Sequence, residues 1–144
     1  MANKNQTKNN NYRNIRKSHG AENTEDYLEL INDMLNKTGE ARIVNIAKKF
    51  DIAQATANKT IKRLQVQGYI EKEPYRSIFL TLKGQKIASK SKRRHKIVYD
   101  FLINLGLSKK ISQIDSEGIE HHVSEFTLKK LEKRIFSIAD AHFM

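Results

Sequence analysis

The stretch Asp115-Ser-Glu-Gly-Ile-Glu-His-His122 holds the densest set of cation-binding groups in the chain. Read as a helix, it sets Glu117, Glu120 and His121 on one face, because residues three and four apart are neighbours on a helix surface. Like charges at that spacing repel, so two carboxylates crowded with an imidazole suit a divalent metal. The ordinary alternative is a solvated acidic face, and on these three residues alone both readings stay open. His122 falls roughly 100° further round the helix than His121 and is expected to pack or stay solvated. Gly118 inside the helix costs about 1 kcal/mol relative to Ala, which suggests close packing or a backbone approach there.

Composition narrows the partners. With 144 residues the chain is long enough for one domain or two small ones sharing a core. Hydrophobic residues at 38% and charged residues at 30% indicate a soluble globular protein with a large polar surface. No apolar run approaches a membrane span, and the polar, basic N-terminus lacks the apolar stretch of a signal peptide. No membrane partner and a cytoplasmic location are therefore expected. The absence of cysteine excludes disulfides, thiolate zinc sites, iron–sulfur clusters and cysteine nucleophiles together. A net charge of +11 favours a polyanionic partner, most often nucleic acid, over the alternative of a generally basic protein.

Residues 1–22 are rich in Asn, Lys and Arg and poor in apolar side chains. They are expected to form a disordered basic arm. Lys4, Lys8, Arg13, Arg16 and Lys17 could add phosphate contacts, or the arm could be a passive tail. A helix is predicted from near Asn23, where Tyr27, Leu28, Ile31, Met34 and Leu35 recur at helical spacing, to Gly39. A short helix over Ile43–Phe50 presents Ile43, Ile46, Ala47 and Phe50 inward. Asp51, Ile52 and Ala53 make a tight connection to a helix over Gln54–Gln67 with Ala57, Ile61 and Leu64 buried. Gly68 stops it as a left-handed cap. Tyr69–Lys72 and Ser77–Leu82 read as two short strands around a turn at Glu73, Pro74 and Tyr75.

Helix, three-residue turn, helix and hairpin is the order of a winged helix-turn-helix. The second of these helices carries Gln54, Thr56, Asn58, Lys59, Lys62 and Arg63 away from its apolar stripe, and the wing offers Lys72 and Arg76. Amides, hydroxyls and cations are the groups that read base edges and hold phosphates. A helical hairpin with an ordinary charged outer face is the alternative. A long helix is predicted from Leu82 to about Leu105, basic early and apolar late, followed by a break at Gly106. Ser108 then caps a helix to about Val123, and Ser124 caps a last helix with Phe126, Leu128, Leu131, Ile135 and Ile138. Three such helices bury little surface alone and read as a dimerisation unit. The fold class is thus mainly α: a winged helix-turn-helix domain over residues 23–89 and an all-helical dimerisation and metal-binding domain over 90–144. Phe101, Leu102, Leu128 and Leu131 are expected in its core or interface.

Glu25-Asp-Tyr-Leu-Glu29, Arg94-His95 and Glu117-Gly-Ile-Glu-His-His122, in that order, resemble the manganese transport regulators, the short-chain branch of the diphtheria toxin repressor family. The resemblance runs from about Glu25 to about Ser137 and leaves out the basic arm. The SH3-like third domain of longer relatives is not expected. The resemblance implies metal ligands at Asp26, Glu29, His95, Glu117, Glu120 and His121. Asp26 and Glu29 are three apart, so one helical face presents both. Four carboxylates carry −4 and two neutral imidazoles add nothing, a charge that two divalent cations balance. Oxygen-rich ligands with imidazole and no thiolate suit manganese, with other divalent cations possible. His19 and His142 lie outside the matching motifs.

The resemblance further implies a repressor of manganese uptake genes, in some relatives also an activator of efflux genes, that binds about two Mn2+ per subunit. It would act as a homodimer on a near-palindromic double-stranded operator. The expected mechanism ties Asp26 and Glu29 to the C-terminal ligands through metal and so narrows the separations the recognition helices sample. No enzymatic activity or small-molecule substrate is expected. The alternatives are a winged-helix DNA binder indifferent to metal and a dinuclear metallohydrolase, against which stands the lack of a nucleophile or oxyanion motif.

Overall fold

The computed structural model describes residues 23–142, with side chains described up to residue 135. The basic arm, His19 and the His142 side chain lie outside them. Two compact units divide at Lys90 and Ser91, a boundary that falls within one long helix.

The first unit comprises α1 (residues 23–38), α2 (Ile43–Phe50), α3 (Gln54–Val66), β1 (Ile70–Lys72), β2 (Ile78–Leu80) and the start of α4 (Leu82–Asn104). Each helix contributes one apolar stripe. Tyr27, Leu28 and Ile31 come from α1, Ile46 and Ala47 from α2, and Ala57, Ile61 and Leu64 from α3, all buried. Ile70, Ile78, Leu80 and Ala88 close the core, and Met34, Leu35, Ile43 and Phe50 pack on its edge. The Tyr27 and Phe50 rings lie 4.7 Å apart. The turn between α2 and α3 is set by Asp51, whose φ of 54° is left-handed. Its N–H bonds back to Lys48 O, and that of Ile52 to Ala47 O. This closes orphan carbonyls at the end of α2.

The strands pair antiparallel with Ile70 opposite Leu80 and Lys72 opposite Ile78. They are shorter than the sequence pattern predicts, although the Thr81 N–H still reaches the Tyr69 carbonyl at 3.1 Å beyond the paired residues. Thr81 Oγ1 donates to Gly68 O at 2.7 Å and accepts the Gly84 N–H at 3.2 Å, so it caps α4. Ser77 Oγ accepts the Ala41 N–H at 2.8 Å. Gly84 is demanded by packing, since a Cβ there would lie 2.1 Å from the Tyr69 carbonyl oxygen.

The second unit holds the rest of α4, α5 (Lys109–Ile119) and α6 (Glu125–His142). Among the described residues its core holds Ile97, Val98, Leu102 and Leu128, with Phe101, Val123, Leu131 and Ile135 packed against them. Ser108 caps α5 by accepting the Ile111 N–H at 3.2 Å, and Ser124 caps α6 by accepting that of Thr127 at 3.2 Å. Arg93 ties α4 to α6 through Glu125 and Glu132 at 3.1 and 2.9 Å. α5 ends at Ile119, short of the expected Val123; Glu120 is its C-cap, and the His122 N–H bonds to Ile119 O in a tightened turn. α5 also faces the opposite way from its hydrophobicity. Ser112 and Ser116 are fully buried, while Ile111, Ile114 and Ile119 stand exposed.

Candidate metal centre and nucleic-acid interface

Ser112, Ser116 and Glu120 recur every four residues, so the buried face of α5 is polar and ends on a carboxylate. The Glu120 side chain is 5% exposed and the His121 side chain 3%. His95, on α4, brings Nδ1 to 2.7 Å from Glu120 Oε2. His121 Nε2 lies 3.4 Å from the other oxygen, Oε1. One buried carboxylate thus has an imidazole on each oxygen. On a continuous helix Glu117, Glu120 and His121 share one face, as the spacing predicts. Here Glu120 and His121 sit instead at the turn where α5 stops, and His95, 25 positions before Glu120, comes from α4.

Glu117 behaves differently. It is exposed and accepts a hydrogen bond from Gln113 Nε2 at 3.3 Å. Asp26 and Glu29 belong to the first unit, three apart on α1 and both half-buried. Arg94, to which the sequence reading gave only a place in a motif, grips main-chain carbonyls. Its Nε donates to Glu120 O at 3.1 Å and its Nη2 to Val123 O. Such a contact between positions 26 and 29 apart leaves no local signal in the sequence.

Gly118 is not closely packed, contrary to the expectation drawn from its place in a helix. Among the described residues, a Cβ there meets nothing within 4 Å. It lies in an open apolar groove of about 610 Å3 lined by Ile114, Asp115, Gly118, Ile119, His122 and Val123.

The expected DNA face divides in the same way. On α3, Gln54, Thr56, Lys59 and Lys62 are exposed. Asn58 is half-buried, because at roughly 100° per residue it lies near the Ala57–Ile61 stripe. Arg63 is exposed but engaged, with Nη2 donating to Asn23 Oδ1 at 3.0 Å and Nη1 to Thr24 Oγ1 at 3.2 Å. In the wing, Arg76 pairs with Glu73 at 2.9 Å, and both are exposed. Lys72 is half-buried, and Tyr75 at the tip is fully exposed with a left-handed φ of 62°.

A helix-turn-helix with a two-stranded wing, followed by a helical unit with a buried carboxylate–imidazole cluster, defines a class of DNA-binding regulators. The chain belongs to the iron dependent repressor family. The family's N-terminal DNA binding domain matches residues 20–78, and its metal binding and dimerisation domain matches residues 81–140. Its members are transcription regulators rather than enzymes, which disposes of the hydrolase alternative. The transcriptional regulator MntR of Escherichia coli O6:H1 is 47% identical over 117 residues, covering 81% of this chain and 76% of that protein. The HTH-type transcriptional regulator MntR of Oceanobacillus iheyensis is 36% identical over 100 residues, 69% of this chain and 68% of that protein. Among solved structures, the manganese regulator SloR matches with a TM-score of 0.69 at 27% identity, covering 78% of this chain and 53% of that one. The metal-dependent transcriptional regulator MtsR matches with a TM-score of 0.72 at 26% identity, also covering 78% and 53%. The chain spans about half the length of these two solved chains. Among the described residues, no helix is long and apolar enough to cross a membrane.

Proposed function

We propose that this chain is a manganese-responsive transcriptional repressor. It would bind a near-palindromic operator as a homodimer and shut down manganese uptake genes when loaded with metal. The observation that carries the metal part is the Glu120 carboxylate, nearly buried and met by His95 on one oxygen and His121 on the other. Oxygen and imidazole donors without thiolate fit manganese and similar hard ions. Asp26, Glu29 and Glu117 are proposed to complete the donor set, and the charge balance favours two ions per subunit. A bound divalent cation supplies the positive charge that lets these carboxylates gather.

The chain's own residues do the rest. His95 and His121 orient the Glu120 carboxylate, and α3 presents Lys59 and Lys62 outward for DNA phosphates. The groove beside Gly118, with exposed Ile114 and Ile119, supports a two-fold interface on α5. Two half-sites about one helical turn apart are then expected. A coupling of about 1–3 kcal/mol between metal and DNA suffices to change operator affinity by roughly one to two powers of ten. The test is binding to the chain's own promoter DNA at fixed salt with manganese, iron, zinc or chelator. Tight, specific binding with manganese and its loss in chelator is the expected result. Equal binding in both establishes a metal-indifferent winged-helix protein.

A further inference from the structure

Two consecutive residues of α4 hold Glu120 from opposite ends. His95 meets its carboxylate at 2.7 Å, and Arg94 donates to its main-chain oxygen at 3.1 Å. The other arm of the Arg94 guanidinium reaches Val123 O, so one side chain spans the turn that carries Glu120, His121 and His122. That turn closes with the His122 N–H donating to Ile119 O at 3.0 Å and ends α5, where carbonyls lack helical partners. A planar fork of fixed donors suits such a pair of carbonyls. Arg94 is half-buried, which keeps the fork from swinging freely into water.

We infer that Arg94 is a positioning residue for the proposed metal site, fixing the Glu120–His121 turn so that its side chains are set before a cation arrives. The inference rests on the manganese reading above. Charge and geometry make opposite demands here. A guanidinium near a cation site repels the cation, so by charge alone losing Arg94 strengthens metal binding. By positioning, losing it weakens binding. Residues that orient metal ligands typically contribute about 10–100-fold in affinity.

Arg94→Lys separates the two effects, since it keeps the charge and loses the fork. Arg94→Ala removes both. Calorimetry with Mn2+ alone gives the affinities, the Mn2+ electron paramagnetic resonance spectrum reports ligand geometry, and hydrogen exchange of the residue 121–123 amides in metal-free protein reports the turn. Arg94→Lys is expected to bind Mn2+ about tenfold more weakly than the unaltered protein. Its spectrum should change and its turn exchange faster, with dimer mass and overall helicity retained. If Arg94→Ala fails to fold, Arg94→Lys still decides. Unchanged affinity, spectrum and exchange in Arg94→Lys overturn the inference and leave the sensor reading standing. Absence of Mn2+ binding by the unaltered protein overturns the sensor reading itself, and this inference with it.

Discussion

The two units solve the problem of burying apolar surface in different ways. Up to Lys90, every helix and both strands turn apolar residues into one core of eleven buried side chains, tight enough that Gly84 has no room for a Cβ. From Ser91 on, among the described residues, four buried side chains form the core, while Ile114 and Phe126 are 61% and 72% exposed and Gly118 faces open space. The first unit also leaves apolar side chains outside, Val66 at 88% and Leu82 at 77% exposed, but no helix of it buries a polar face. Among its described residues, the second turns the serines and carboxylate of α5 inward and leaves Ile111, Ile114 and Ile119 of that helix exposed. That is the expected division between a reading head and a unit that must find a second copy and a cation. Exposed apolar patches of this kind mark interaction sites.

Glu120→Gln makes the largest test of the polar interior. It keeps the size and removes the charge that two imidazoles meet. Manganese affinity by calorimetry is expected to fall beyond the roughly 10–100-fold typical of altering a ligand's hydrogen-bond partner. Manganese-dependent operator binding should vanish, leaving weak, salt-sensitive, non-specific binding. Unaltered manganese activation in this variant sinks the sensor site.

Paired substitutions probe the contrast in packing. Ile61→Ala, in the first core, should cost about 2–5 kcal/mol in denaturant unfolding. Ile114→Ala should leave the monomer's fold intact and weaken self-association in sedimentation. If Ile114→Ala leaves association untouched, the groove on α5 is not the interface. The glycines give the next step down. Gly84→Ala must push against the Tyr69 carbonyl and is expected to destabilise by about 1–3 kcal/mol. Gly118→Ala should gain about 1 kcal/mol of helix stability in a monomer. A weaker dimer in Gly118→Ala would show that a partner's backbone occupies the open space.

The smallest expected effects lie on the DNA face. Lys62→Ala should weaken binding evenly across sequences and lower the salt slope by about 1, because phosphates carry no sequence information directly. Asn58→Ala is expected to relax base preference only modestly, given its half-buried place beside the apolar stripe. A large loss of specificity in Asn58→Ala would reassign it as the main reader.

Periodicity made the first unit legible. The Ala57, Ile61 and Leu64 stripe, the tight turn at Asp51 and the Gly68 stop are local patterns, and each has a local physical cause. The caps at Ser108 and Ser124 were legible for the same reason. α5 was not. Its exposed Ile111, Ile114 and Ile119 and its buried serines run against hydrophobicity, so periodicity gives no guide to which way it faces. The stop at Ile119 also escaped, since no Gly or Pro marks it. The distant Arg94 and the buried Ser112 and Ser116 needed tertiary structure to be seen.

Arg63 bears on the order in which events must happen. Its guanidinium is already hydrogen-bonded to Asn23 and Thr24, at the entrance of the helix that carries Asp26. A phosphate that recruits Arg63 competes with those two side chains, and winning it loosens the first turn of α1. Capture of DNA by this arginine and order at that turn are therefore rivals for one side chain. If Arg63 meets a phosphate, it gives up Asn23 and Thr24, and operator binding through this one side chain carries a local cost that the metal-linked gain has to exceed.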